Sequence, residues 1–327
     1  MGPSLRWDDG TKLFGCQAHA ATKHRSMNSL SLRRLVPEQF VFSSWHAADG
    51  WMLRRFDWPH SHPKGSLLFL GGRGDFAEKY LEVFHHWHQA GWELTGFDWR
   101  GQGGSGRFLP DPLICHIPDF DALLDDLDAF MRCWQQQAPR PHVIVAHSMG
   151  AHLALRLLAA RQIALHRLVL LSPMLGISVR RLPSPALVWA ARAAVKAGFG
   201  ERRIWNGDPA AQRGHMTSCR ERHQDKLWWK AERPEIASGP ASWRWLDAAC
   251  TSLAKLPVTR LASIRVPALL LAARRDPVIA TRAIARAAEA LPNGRFLLLD
   301  GGGHELLRER DSLRLPVLDA IDAFLKS

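Results

Sequence analysis

Short apolar segments alternate with longer amphipathic segments along the chain from about residue 39 onward. Each short segment is rich in Leu, Val or Phe and is bounded by turn-forming residues, a pattern typical of strands. The longer segments carry apolar residues at helical spacing. Strands are predicted at 40–47, 51–58, 66–71, 92–99, 142–146, 166–172, 267–273 and 295–300, and helices near 75–90, 119–137, 148–160, 280–291 and 312–326.

Continuous apolar strands separated by helices indicate a parallel sheet that is covered by helices on both faces. The first two strands flank Asp49-Gly50, which favours a tight hairpin turn, so antiparallel strands are expected at the edge of the sheet. The sequence therefore predicts an α/β fold with a mostly parallel central sheet flanked by helices.

The segment 174–255 interrupts this alternation and has a different composition. It is rich in Trp, Arg, Pro and Ala and is predicted to form several helices before the strand pattern resumes at Val266. We expect a helical cap inserted between two strands of the sheet, with the core formed by 37–173 and 256–327. Residues 1–36 are polar and lack clear periodicity, so an irregular N-terminal leader is expected.

The composition is that of an ordinary globular protein, with 46% hydrophobic and 23% charged residues. No apolar run approaches the roughly 20 residues that span a bilayer. The 5 cysteines are odd in number and scattered, which favours neither a disulfide framework nor a zinc site and indicates a reducing, cytoplasmic location.

The net charge of +12 is concentrated in 1–36 and in the C-terminal half of the chain. A nucleic-acid partner would require a recognisable reading module as well as basic charge, and the sequence contains none, so no nucleic-acid partner is expected. The basic charge instead suggests peripheral contact with an anionic membrane surface, an attraction that salt would weaken.

The stretch PHVIVAHSMGAHLALRLLAA (141–160) has a polar interruption between an apolar strand and an apolar helix. Ser148 lies where the chain turns sharply into the helix, so its hydroxyl is expected at the carboxyl-terminal edge of the sheet. The segment AHSMG (146–150) matches the G-x-S-x-G nucleophile elbow, with alanine in place of the first glycine. A helix cap is the alternative role of such a serine.

Two downstream residues supply the base and the acid that a weak serine nucleophile requires. Asp276 follows the strand at 267–273, and His304 lies in the glycine-rich loop after the strand at 295–300. The order serine, acid, histidine is the one expected for this fold class. Because each residue follows its own strand, all three should meet at one edge of the sheet. We predict that Ser148, Asp276 and His304 form a catalytic triad.

The backbone N–H groups that would stabilise the oxyanion are predicted at two places. Met149 follows the nucleophile in the first helical turn, where free N–H groups and the positive end of the helix dipole lie. The second donor is expected in the loop GGRG (71–74) after the strand at 66–71, with the N–H of Arg73 as the preferred group. A flexible glycine turn is the alternative for this loop.

Five segments carry a family resemblance: GFDWRGQGGSGR (96–107), AHSMGAHLAL (146–155), LSPMLGI (171–177), SGPASWRWL (238–246) and GGGHELLRERD (301–311). They resemble the α/β-hydrolase superfamily, and within it the lysophospholipase and monoacylglycerol lipase branch, most closely the bacterial lysophospholipase L2 type. The resemblance covers about residues 38–326 and implies a serine ester hydrolase with the same triad, without metal or organic cofactor. Gly71 departs from the pattern, since many relatives carry His before the oxyanion glycine.

The resemblance implies a lysophospholipid as substrate and release of its fatty acid through an acyl-enzyme on Ser148. Monoacylglycerol or another amphiphilic ester is the alternative substrate, and a peptidase would use the same triad. A non-catalytic protein that binds a ligand beneath the cap is the alternative from another class, although it would not need all three residues. Trp243 and Trp245 are candidates for lining an acyl-chain channel, whereas tryptophans in such segments usually pack between helices.

Three other patterns are weaker signals of function. GQGGSG (101–106) fits G-x-G-x-x-G, but two prolines follow where a dinucleotide site requires a helix, so a turn is expected. HHWH (85–88) lacks the i, i+4 spacing of a zinc motif and is expected on a solvated helix surface. Four aspartates between 121 and 128 predict an amphipathic helix with a solvated acidic face.

Overall fold

A single nine-stranded sheet forms the centre of the computed structural model, which describes residues 5–7, 29–177, 184–206 and 216–327. The strands are β1 (Leu5–Trp7), β2 (Val41–His46), β3 (Met52–Trp58), β4 (Ser66–Leu70), β5 (Glu93–Phe97), β6 (His142–His147), β7 (Arg167–Leu171), β8 (Ala268–Ala273) and β9 (Gly294–Leu299). Their order across the sheet is β1-β9-β8-β7-β6-β4-β5-β3-β2. Strands β4 to β9 pair in parallel, whereas β1 and the β2–β3 hairpin add antiparallel edges. The mostly parallel sheet is thus confirmed.

Helices cover both faces of this sheet. The α-helices among the described residues are α1 (Ser29–Arg34), α2 (Leu81–Gln89), α3 (Phe120–Gln137), α4 (Ser148–Ala160), α5 (Ser184–Lys196), α6 (Arg220–Glu232), α7 (Trp243–Ala254), α8 (Thr281–Ala290) and α9 (Asp311–Lys326). None of these described helices is both long enough and apolar enough to cross a bilayer.

Two hydrophobic cores, one on each face of the sheet, explain why the central strands are apolar throughout. In β4, Leu68 and Leu70 join the core beneath α3, α4 and α8, whereas Leu67 and Phe69 join the core beneath α2 and α9. Because successive strand residues point to opposite faces, a strand covered on both sides must be apolar at every position. The same alternation is present in β6, β7 and β8.

The helices α5, α6 and α7 lie in the chain between β7 and β8, inside the segment predicted as a cap. Helix α7 is capped at its N-terminus by Ser242, whose hydroxyl accepts a hydrogen bond of 3.0 Å from the N–H of Trp245. Arg107, from the turn after β5, donates to the carbonyl of Ala237 at 2.8 Å and so ties this region to the core. The boundaries 174 and 255 stay a prediction, and residues 178–183 and 207–215 lie outside the described residues.

The irregular leader predicted for 1–36 is wrong at two places. Strand β1 pairs antiparallel with β9, and helix α1 is held by Asp225 of α6, which accepts hydrogen bonds from Arg33 at 2.5 Å and Arg34 at 2.7 Å. A strand of three residues and a helix of six are too short to show periodicity. Both depend on partners distant in the chain, so local sequence could not predict them. Residues 8–28 lie outside the described residues.

The solvated acidic face predicted on α3 is also wrong for two of its aspartates. Asp126 is only 3% exposed and accepts hydrogen bonds of 2.9 and 2.7 Å from the guanidinium of Arg100. Asp128 is 5% exposed and pairs with Arg132 at 2.8 Å and Arg161 at 3.0 Å. Burial of these carboxylates is tolerated because arginines pair with them, Arg132 from the same helix and Arg100 and Arg161 from other segments.

Candidate active site

The turn from β6 into α4 holds Ser148 in a left-handed backbone conformation, with φ of +49°. Such a conformation is costly for a residue with a side chain and is maintained only by tight surroundings. Gly150 shows how tight they are, since a Cβ there would lie 2.5 Å from the carbonyl oxygen of Gly71 and 2.6 Å from that of Leu70. The end of β4 therefore presses directly on the first turn of α4, and only glycine fits between them.

The three predicted triad residues form one continuous chain of hydrogen bonds. Nε2 of His304 lies 2.8 Å from the hydroxyl oxygen of Ser148, and Nδ1 of His304 lies 2.7 Å from a carboxylate oxygen of Asp276. They follow β6, β8 and β9, whose carboxyl-terminal ends lie along the same edge of the sheet. Ser148 is 7% exposed and His304 2% exposed, so their contact is largely shielded from water.

The environment of Asp276 keeps its carboxyl group ionised. Burial by itself would raise its pKa, but the His304 imidazole and the backbone N–H groups of Val278 and Ile279 lower the pKa below its usual value of 3.8. Those N–H groups donate to the other carboxylate oxygen at 2.8 and 2.9 Å. An ionised Asp276 accepts a hydrogen bond from Nδ1–H of His304, which leaves Nε2 as the acceptor that faces the Ser148 hydroxyl.

The loop after β4 lies directly against the nucleophile. A Cβ added to Gly72 would be 2.9 Å from Nδ1 of His147 and 3.0 Å from Cβ of Ser148. Arg73 is the next residue in this loop, and Met149 follows Ser148 at the start of α4. The loop and the helix start thus flank the serine from two sides. Their roles as oxyanion donors stay a prediction.

A buried polar network behind the serine was not predicted from the sequence. Asp75 accepts hydrogen bonds from the N–H of Gly72 at 2.6 Å and from Nδ1 of His147 at 2.8 Å, while Nε2 of His147 lies 3.3 Å from the carbonyl oxygen of His304. Burial would raise the pKa of Asp75, but Lys79 and His147 hold it well below its usual value. The network links the loop after β4 to the loop that carries the base.

The profile of the serine aminopeptidase S33 family (Hydrolase_4) matches residues 61–311. The chain belongs to this family of α/β-hydrolases. Lysophospholipase L2 of Escherichia coli K12 is 31% identical over 281 residues, covering 80% of this chain and 81% of that protein. The probable lysophospholipase L2 of Haemophilus influenzae is 26% identical over 277 residues, covering 82% and 85%.

A solved structure shows the same fold. A soluble variant of monoglyceride lipase from Saccharomyces cerevisiae superposes with a TM-score of 0.69 at 17% identity, covering 90% of this chain and 97% of that one. The α/β-hydrolase fold and the resemblance to the lysophospholipase branch are thereby confirmed.

The hydrolase has a cavity of ≈ 460 Å³ at the triad, with both Ser148 and His304 in its wall. Much of the remaining wall is apolar and comes from the helices and connecting segments between β7 and β8 and from the loop after β8. These apolar residues include Met174, Ile177, Leu187, Ile204, Trp205, Trp243, Trp245, Leu246, Val278 and Ile279.

The predicted cap residues Trp243 and Trp245 thus both line the cavity, and so does Trp205, which sequence analysis did not identify. In contrast, Trp229 points away toward α1, where its indole N–H donates to the carbonyl of Arg33 at 2.9 Å. A role of the cavity tryptophans in substrate binding stays a prediction.

Two of the sequence patterns that were weaker signals of function, 101–106 and 85–88, make contacts with other parts of the structure. The segment 101–106 forms a turn in which the N–H of Gly104 donates to Asp98 at 2.8 Å. In the segment 85–88, His86 pairs with Asp322 of α9 at 2.9 Å and Trp87 is fully buried, so this helix surface is only partly solvated. Within the described parts of the chain, no group of His, Cys, Asp and Glu side chains could hold a metal ion.

Proposed function

We propose that the hydrolase is a lysophospholipase that cleaves the carboxyl ester of a lysophospholipid through an acyl-enzyme on Ser148. The observation that carries this proposal is the hydrogen-bonded chain from Ser148 through His304 to Asp276, at a cavity with a largely apolar wall. The 31% identity with lysophospholipase L2 of Escherichia coli supports the same substrate class.

The geometry permits a two-step acyl transfer. The Ser148 oxygen attacks the acyl carbonyl carbon while Nε2 of His304 takes the hydroxyl proton, and Asp276 stabilises the resulting imidazolium. The tetrahedral oxyanion accepts hydrogen bonds from the backbone N–H groups of Met149 and Arg73. When the carbon–oxygen bond breaks, His304 returns the proton to the leaving alcohol oxygen.

Water then hydrolyses the acyl-enzyme, with the water oxygen as nucleophile and the Ser148 oxygen as leaving group. His304 takes a proton from the water molecule, whose oxygen attacks the acyl carbon and forms a second tetrahedral intermediate. Collapse of this intermediate releases the fatty acid and returns the proton to the Ser148 oxygen. The described residues provide every proton transfer, so no metal or organic cofactor is part of this mechanism.

A fluorophosphonate probe tests the nucleophile. The wild-type protein should be labelled covalently, and Ser148→Ala should abolish labelling. Ser172 provides a matched control, because it is also buried, has φ of +42°, and its hydroxyl has no hydrogen-bond partner among the described residues. Ser172→Ala should keep the labelling. A folded wild-type protein that resists the probe would instead favour the non-catalytic ligand-binding alternative.

The substrate class is tested with a panel of four substrates, in which the lysophospholipid and the monoacylglycerol have the same acyl length. It contains a lysophospholipid, a monoacylglycerol, a short p-nitrophenyl ester and an aminoacyl p-nitroanilide. We expect the highest kcat/KM for the lysophospholipid, the class named for the E. coli relative, and the apolar wall should favour both long-chain esters over the anilide. The name of the matched family makes peptidase activity the second candidate, and preferential cleavage of the anilide would contradict the lysophospholipase proposal.

A cytoplasmic location and peripheral contact with anionic membranes are two further proposals. The net charge of +12 supports the membrane contact. Sedimentation with phosphatidylglycerol vesicles tests the membrane contact. Binding should fall as salt rises from low to physiological concentration, because the attraction is electrostatic. Salt-independent binding, or no binding at low salt, would argue against it. No nucleic-acid partner is proposed.

A further inference from the structure

Three cationic side chains line the cavity that contains the nucleophile: Arg73, Lys226 and Lys230. The two lysines lie one turn apart on α6 and therefore present their ammonium groups on the same face of the helix. A channel that held only an acyl chain and a neutral glycerol would not require these charges, and none of them belongs to the triad.

The carboxylates near these lysines are already neutralised by other cations. Asp75 is paired with Lys79, and Glu305 accepts from Lys79 at 2.7 Å and from Arg308 at 2.5 Å. Lys226 reaches Glu305 only at 3.7 Å. The cluster of charged groups facing the cavity thus has more cations than carboxylates.

Lys230 is the least compensated cation of this cluster. Its ammonium group donates to the backbone carbonyl of Ser238, and among the described side chains it has no carboxylate partner within ion-pair distance. Burial is the main reason why the pKa of Lys226 falls to about 8 and that of Lys230 to about 7. Repulsion by Lys226, Lys79 and Arg73 lowers the pKa of Lys230 further. An anion in the cavity would relieve this unfavourable charge.

A spare hydrogen-bond donor lies beside the same lysine. Ser238 lines the cavity and is 5% exposed, and its hydroxyl has no hydrogen-bond partner among the described residues. A Cβ on Gly74 of the oxyanion loop would lie 3.7 Å from Cβ of Ser238, and Gly239 accepts a hydrogen bond of 3.1 Å from Arg73. The unpaired hydroxyl and the poorly compensated ammonium group therefore lie next to the loop that flanks the nucleophile.

We propose that Lys226, Lys230 and Ser238 form a subsite for the phosphate group of the substrate headgroup, while the apolar wall holds the acyl chain. This inference rests on the proposed ester hydrolysis at Ser148 and narrows its substrate class to monoacyl glycerophosphate esters. A phosphate oxygen accepts strong, charge-assisted hydrogen bonds from ammonium groups. The subsite distinguishes a phosphate-bearing ester from a neutral monoacylglycerol of the same chain length.

The test compares two substrates that differ only in the phosphate, 1-octanoylglycerol 3-phosphate and 1-octanoylglycerol, both below their micelle concentrations. Lys230→Met keeps most of the side-chain length but removes the charge. It should lower kcat/KM for the phosphate ester about 10- to 100-fold, the range expected for loss of a charged hydrogen bond. For the neutral ester, kcat/KM should change less than about threefold. Lys230→Arg should retain the preference for the phosphate ester.

Lys196→Met is the matched control. Lys196 is exposed on α5, so this substitution removes the same charge outside the cavity. It should leave both kcat/KM values unchanged. An equal loss on both substrates with Lys230→Met would overturn the subsite, since the lysine would then support the fold or the triad. A loss with Lys196→Met as large as that with Lys230→Met would overturn it as well, since overall charge would then explain the effect.

Competition experiments identify the source of the phosphate. Glycerol 3-phosphate should inhibit hydrolysis of 1-octanoylglycerol by the wild-type protein but not by Lys230→Met. Inhibition by inorganic phosphate but not by glycerol 3-phosphate would assign the site to a free anion and overturn the headgroup proposal.

If the wild-type protein hydrolyses neither ester, the proposed function fails, and the subsite is still decided by calorimetry. The affinity of Ser148→Ala for 1-octanoylglycerol 3-phosphate should weaken about 10-fold or more when Lys230→Met is added. An unchanged affinity would overturn the subsite independently of catalysis.

Discussion

Replacement of Gly150 by alanine places a methyl group where the nucleophile elbow meets the end of β4. The added carbon would lie 2.5 Å from the backbone oxygen of Gly71 and 2.6 Å from that of Leu70. Both neighbours are backbone atoms of a buried strand end, so neither can rotate away. Reaching an ordinary contact of 3.4 Å requires the first turn of α4 and the loop after β4 to separate by about 0.9 Å.

A separation of this size has two measurable consequences. Overpacking of a well-packed core costs about 1–3 kcal/mol, so the free energy of unfolding in urea should fall by that amount. A misplacement of about 1 Å between catalytic groups can lower the rate about 100-fold. We therefore expect kcat/KM of Gly150→Ala on a p-nitrophenyl ester to fall about 100-fold, mainly through kcat, with a parallel slowing of fluorophosphonate labelling.

Gly200→Ala is the control, because a Cβ there would meet its nearest neighbours only at 3.7 Å. It should leave both activity and stability near those of the wild-type protein. A folded Gly150→Ala protein with kcat/KM within about threefold of wild type would refute the reasoning, since catalysis would then tolerate displacement of the loop after β4.

Three further results are expected. Asp75→Asn should lower the free energy of unfolding by about 3–5 kcal/mol in urea, because it breaks a buried ion pair with Lys79. The pKa of Asp75 in the folded protein is held well below its usual value of 3.8. The stabilisation by this carboxylate is therefore present above pH 3.8 and is lost as the pH falls below it. The stability of Asp75→Asn should consequently fall less in acid than that of the wild-type protein. The double variant Trp243→Ala, Trp245→Ala should raise KM for long-chain esters but not for short ones, and equal effects on both would contradict an acyl-binding role. The ratio of kcat/KM for the phosphate ester to that for the neutral ester should fall as pH rises through about 7 to 8, because Lys230 and Lys226 must be protonated to bind phosphate. A ratio that is constant between pH 6 and about 9 would contradict that role of the lysines.

The sequence by itself determined the class of fold and the three residues of the candidate triad. Strands buried on both faces are almost entirely apolar, and this signal is local, so β4, β6 and β8 could be located from short windows of sequence. Ser148 and Asp276 each follow such a strand, and His304 follows β9, whose apolar run from Phe296 to Leu299 gave a similar local signal. Parallel strands end at the same edge of a sheet, which made their meeting predictable without coordinates.

Only the tertiary structure decided which charged groups are buried and what they contact. Asp75 and His147 are separated by 72 positions in the chain, and Arg33 and Asp225 by 192, so no local pattern joins them. In the sequence, Asp126 looked like one member of a solvated acidic face, and Lys230 like any other lysine of a basic segment. The side chains packed around each of them set its burial and its pairing, because the cost of burying a charge depends on whether the fold supplies a partner.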